Sequence, residues 1–172
     1  MAQRAIAVRR ATAADAAALA QLAEVTFTET FGHLYSRDDL VDYVAGAYTE
    51  GLCREVLQDP RMAYWVASAE GEPPVGFALA GYCKLPAENR EPTAGELRQL
   101  YVRSTHQNLG LGARLCDAAL AWLDEHYAPL YVGVWSLNHG ALRFYGRYGF
   151  AKVGEYGFRV GKTVDREFIL RR

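Results

Sequence analysis

The chain has 172 residues, enough for one domain with a full core; half of them are apolar and 23% are charged. A net charge of −1 gives no reason to expect a nucleic-acid or membrane partner, and no apolar run approaches the ~20 residues that cross a bilayer. The three cysteines (Cys53, Cys83, Cys116) form no Cys-x-x-Cys pair, and the four histidines lack ligand spacing. Neither a disulfide framework nor a metal site is expected, and a reducing cytoplasm fits. Met1–Arg4 lacks the apolar core of a signal peptide.

Residues 6–9 read as a first strand. Thr12-Ala13-Ala14-Asp15 is a capping box, and the helix behind it carries Leu19, Leu22, Ala23 and Phe27 on one face. Thr26 to Gly32 breaks the helical pattern and predicts a loop. Ser36-Arg37-Asp38-Asp39 is a second capping box, opening a helix to about Tyr43; a third helical piece spans 50–58 and stops before Pro60. A meander of strands at 63–67, 75–85 and 96–102 follows, joined by the turn 70–74 and the polar loop 86–93. Then come a glycine loop, a helix over 111–127, a strand at 131–135, a helix over 141–148, and a hairpin of 151–158 with 164–170. The fold class is α/β (α+β): one domain over residues 1–172, with six to seven mostly antiparallel strands and flanking helices. The one parallel step joins 96–102 to 131–135 through the long helix.

Charge is distributed unevenly. Residues 24–59 carry a balance of −6, whereas residues 97–172 carry +5. The basic half contains Gln107-Asn108-Leu109-Gly110-Leu111-Gly112, between a strand and a helix. Backbone N–H groups from Asn108 to Ala113 then meet at the positive end of a helix dipole, a geometry that binds phosphate. Gly110 and Gly112 remove the side chains that would hold phosphate oxygens away. A P-loop would need Lys-Ser/Thr where Ala113-Arg114 stands, and a dinucleotide fingerprint would need a third glycine and an acid in the next strand.

About 25 residues on comes Asn138-x-x-Ala141-x-x-Phe144-Tyr145-x-x-x-Gly149-Phe150. With Gln107-x-x-Gly110-x-Gly112, this resembles the GNAT superfamily of acetyl-CoA-dependent N-acetyltransferases, over roughly residues 5–170. The resemblance implies that the fourth and fifth strands splay into a V-shaped cleft for pantetheine. It implies that Gln107, Asn108, Leu109, Gly110, Leu111, Gly112 and Ala113 hold pyrophosphate. It further implies that the backbone at Leu100, Tyr101 and Val102 bonds the pantetheine amides, with Asn138 both capping its helix and bonding that arm.

Tyr145 is the candidate acid for the leaving thiolate, and its family position also places it beside the cofactor sulfur. Strand alternation puts Glu96 and Arg98 on the face of Leu100 and Val102, a position where family members often place the base, so Glu96 is the candidate base. Cys116 lies mid-helix, where cysteines are usually buried and inert. Segments 26–31 and 157–170 look like the PaiA-type spermine/spermidine acetyltransferases. The acceptor expected is therefore a polyamine or other small cationic amine, bordered by Phe27, Glu29, Phe31, Asp38, Asp39 and Glu96. A ribosomal-protein-type N-terminal acetylase, a small-molecule resistance acetylase and a non-catalytic acyl-CoA-binding regulator are the alternatives. The aromatic content makes a homodimer plausible.

Overall fold

Among the described residues seven strands form one sheet: β1 (Ala7–Arg10), β2 (Met62–Ser68), β3 (Gly76–Tyr82), β4 (Gly95–Val102), β5 (Leu130–Trp135), β6 (Ala151–Val160) and β7 (Thr163–Arg171). Their order in this computed structural model is β1-β2-β3-β4-β5-β7-β6, and among the described residues only the β4–β5 contact is parallel. The structure describes residues 5–172, so Met1–Arg4 and the reading made of them lie outside it. Among the described residues no helix is long and apolar enough to cross a membrane.

Two helical layers cover the sheet. Helix α4 (Leu111–His126) and helix α5 (His139–Arg147) bury Leu115, Cys116, Leu123 and Tyr145 with Trp65, Leu97, Val132 and Leu170 on one face. On the other face, helices α1 (Ala16–Phe31) and α3 (Glu50–Gln58) pack Leu19, Leu22 and Cys53 on Tyr64, Val66 and Phe77. Helix α2 (Arg37–Ala47) joins that layer through Val44, which meets Phe27 and Val160.

Three expectations are corrected. Helix α1 runs on through Thr26–Phe31 instead of breaking. The Thr26 hydroxyl donates to Leu22 O at 2.8 Å and the Thr30 hydroxyl to Thr26 O at 2.7 Å, so these β-branched residues satisfy their side chains inside the helix. Burial of Phe27 supplies the stabilisation that propensity lacks. Strand β3 stops at Tyr82, not at Leu85, because the Lys84 N–H is taken at 2.8 Å by the Glu96 carboxylate and not by strand backbone. Finally, β4 does not alternate cleanly. Its register against β3 slips between Leu79 and Ala80, which pair with Gln99 and Leu97, leaving Arg98 as the extra residue of a bulge. Leu97, Leu100 and Val102 therefore share the α4 face, while Glu96 and Tyr101 pack on the opposite one.

The second capping box is half formed. Ser36 Oγ accepts from the Asp39 N–H at 3.2 Å, but the Asp39 carboxylate turns outward to the Lys162 N–H at 3.5 Å, in the β6–β7 turn. That contact docks α2 on the hairpin, and Gly161 makes room for it. Gly161 has φ +55°, and a Cβ there would stand 2.1 Å from Asp39 Cγ. Gly161→Ala should therefore cost about 1–3 kcal/mol in urea unfolding, combining left-handed strain with displacement of α2.

Candidate active site

The β4–β5 ladder has two pairs, Gly95 with Leu130 and Glu96 with Tyr131, and then ends. Strand β4 continues along β3 to Val102, and β5 continues along β7 to Trp135, so their facing edges separate. The gap opens into a cleft of about 300 Å³, lined on β4 by residues 96–102 and on β5 by Val132–Trp135. Tyr145, Asn138 and Gln107 line the same space. Asn138 caps α5 as expected, its Oδ1 accepting from the Ala141 N–H at 3.0 Å. One expected free backbone group is occupied: Gln107 Nε2 donates to the Val102 carbonyl at 3.2 Å, tying the glycine loop to the end of β4.

At the mouth, Asn108 and Gly110 have φ of +64° and +74°, which curls the loop onto the first turn of α4. The Arg114 N–H is bonded to Gly110 O at 3.1 Å, so the N–H groups of Leu111, Gly112 and Ala113 precede the helical ladder. An added Cβ at Gly110 or Gly112 would meet nothing within 4 Å. Open space in front of free amides at a helix N-terminus fits a pyrophosphate, and the unpaired β4 edge behind it fits an extended amide-bearing arm. Leu109 projects into solvent, while Leu111, the first residue of α4, is buried.

The chain belongs to the acetyltransferase (GNAT) family, whose model matches residues 17–150. Its acyl donor is acetyl-CoA. An uncharacterised N-acetyltransferase of Lactobacillus delbrueckii subsp. lactis is 29% identical over 153 residues, 86% of this chain and 85% of the relative. The spermine/spermidine N(1)-acetyltransferase of Bacillus subtilis is 30% identical over 95 residues, 54% of this chain and 62% of that protein. Among solved structures, PaiA N-acetyltransferase from Thermoplasma acidophilum in complex with coenzyme A superposes with TM-score 0.75 at 17% identity, covering 98% of both chains.

Within this acetyltransferase the bound thioester supplies an activated acyl carbon and a thiolate leaving group. Tyr145, the acid expected from the sequence, lines the cleft. It is 7% exposed, wedged against Phe144 and Phe150, and burial pushes its phenol pKa well up, so it stands protonated as a donor. Glu96 also lines the cleft, and burial raises its pKa too, but its Oε2 is occupied by the Lys84 N–H and lies 4.0 Å from Arg98 Nε.

The residues expected to border the acceptor line the cleft only in part. Phe27 and Phe31 reach the cleft; Glu29, Asp38 and Asp39 do not line it. Glu29 is held by Arg103 Nε at 3.1 Å and the Ser104 N–H at 3.0 Å, Asp38 is at the surface, and Asp39 holds the hairpin turn. Besides Glu96, the acids that line the cleft are Asp165 and Glu167, both from β7. Tyr35 donates to Asp165 Oδ2 at 2.5 Å and Tyr156 to Glu167 Oε2 at 3.2 Å. Rings of Tyr43, Tyr48, Trp135 and Phe158 complete the wall. The available signal was two acids spaced i, i+2 in the last strand, which puts both on one face.

Two outcomes follow. Gly112→Glu would place a carboxylate in the open space before α4, so coenzyme A binding by calorimetry should weaken more than tenfold with the fold intact. Tyr145→Phe should lower kcat ~10²-fold with acetyl-CoA affinity little changed, as single-turnover and binding measurements can separate.

Proposed function

We propose that this acetyltransferase moves the acetyl group of acetyl-CoA to a small cationic amine, a polyamine or similar linear polycation, by direct attack in a ternary complex. The observation that carries this reading is the pair of β7 carboxylates, Asp165 and Glu167, facing an aromatic-walled pocket at the splayed end of the sheet. Aromatic faces and carboxylates together favour ammonium groups. Arg98, the cation among the cleft-lining residues, is engaged elsewhere: it donates to the Tyr82 carbonyl, and its guanidinium lies 4.4 Å from the centre of the Tyr82 ring. The name of the Bacillus subtilis relative, a spermine/spermidine N(1)-acetyltransferase, supports the same substrate class.

An acetyl-CoA turnover screen against spermidine, spermine, amino acids, aminoglycosides and N-terminal peptides tests this. Spermidine and spermine should be acetylated, and the spermidine KM should rise with salt more steeply than that of a neutral-tailed monoamine. Acetylation of an N-terminal peptide but of neither polyamine would replace the reading with a peptide acetylase. Coenzyme A binding without turnover on any amine would replace it with an acyl-CoA-binding regulator.

A further inference from the structure

We propose that the Glu167 carboxylate, and not Glu96, takes the proton from the acceptor ammonium, and that the Tyr156 hydroxyl holds it in position to do so. This rests on the amine acetylation proposed above. Glu167 sits in β7 opposite Trp135 of β5 and Tyr156 of β6, which brings it to the part of β5 that has left β4. Gly133, two residues past the last β4–β5 pair, clears the ground beneath it. A Cβ there would stand 3.1 Å from Tyr156 Oη and 3.5 Å from Glu167 Oε2. Among the described residues no lysine or arginine forms an ion pair with Glu167, whereas Glu96 faces Arg98 and has an oxygen committed to Lys84.

The groups around Glu167 suit the task. Asp165 shares its strand face; Tyr156 comes from β6, Tyr35 and Tyr43 from the α1–α2 side, Tyr101 from β4, and Glu96 lies beyond Tyr156. Arg98 lines the same cleft but is turned to Tyr82. Burial first, and the Asp165 charge after it, lift Glu167 to about 6, with the Tyr156 hydrogen bond opposing. An amine near 10 still holds its proton against such a base by roughly 10⁴, a smaller gap than an ordinary carboxylate would face.

The step balances as follows. The ammonium gives one proton to Glu167, which passes it to water. The freed nitrogen lone pair bonds the acyl carbon as the carbon–sulfur bond breaks, and the sulfur keeps that electron pair. Tyr145 protonates the thiolate and is itself restored by the second proton that nitrogen loses on becoming an amide.

The test compares Glu167→Gln, Glu96→Gln and Tyr156→Phe, with spermidine and the most active monoamine of the screen as acceptors. Calorimetric coenzyme A affinity serves as the control for folding. Wild-type kcat/KM should rise through about pH 6 and then level. Glu167→Gln should lose ~10²-fold or more in kcat at pH 7, and its rate should climb steadily towards pH 9 as solvent supplies free amine. Tyr156→Phe removes a hydrogen bond to the ionised form, so the limb should move to higher pH with kcat above the limb nearly kept. Near-wild-type kcat in Glu167→Gln, or loss of the limb in Glu96→Gln instead, would overturn this assignment alone. Wild-type inactivity towards every amine would overturn the amine reading and this assignment with it.

Discussion

Everything functional in this chain depends on where one ladder of hydrogen bonds stops. A parallel pair of strands leaves no edge groups for a ligand, and β4 and β5 pair at only two positions. The Arg98 bulge lies just past the last of these, and bulges bend a strand and raise its twist. Strand β5 instead follows β7, its partner from Tyr131 to Trp135. Two strands recruited to different neighbours must separate, and the separation opens the cleft between them.

The same bulge sorts the site into two faces. Beyond it, Leu100 and Val102 turn to the core beneath α4, and the Val102 carbonyl accepts from Gln107 of the glycine loop. Tyr101 faces α1, where it meets Phe31 and Phe77 and joins the aromatic wall of the cleft. A protein that alternated without a slip would carry Glu96 on the α4 face, with Leu100 and Val102. The slip sends it towards Tyr131 and the β3–β4 connection, where its carboxylate braces backbone.

The parts legible in the sequence are those whose signal is local. Gly110, Gly112 and Asn138 announce their roles because turn geometry and capping depend on neighbouring residues. The long helix and the hairpin follow from period and spacing. What escaped reading depends on partners distant in the chain. Thr26–Phe31 stays helical because Phe27 is buried with Val44 and Val160, more than a hundred residues apart. The bulge exists only in relation to β3. Asp165 and Glu167 look like surface alternation until Tyr35, 130 residues earlier, is seen bonded to one of them.

The acidic stretch of residues 24–59 shows why a count of charges misleads about a site. Its acids are spent on the surface and on structure: Glu29 on Arg103, Asp39 on the hairpin turn, Glu50 on Arg54. Such exposed pairs contribute little and are screened within about 8 Å. What the segment gives the cleft is rings: Phe27, Phe31, Tyr35, Tyr43 and Tyr48. Those rings exclude water from two β7 carboxylates, and a half-buried carboxylate acts at lower effective dielectric than any number at the rim. The same desolvation that raises Glu167 towards the pKa of a useful base also strengthens its hold on an ammonium. In the proposed reaction, attraction and proton abstraction thus come from one physical cause, supplied by residues from opposite ends of the chain.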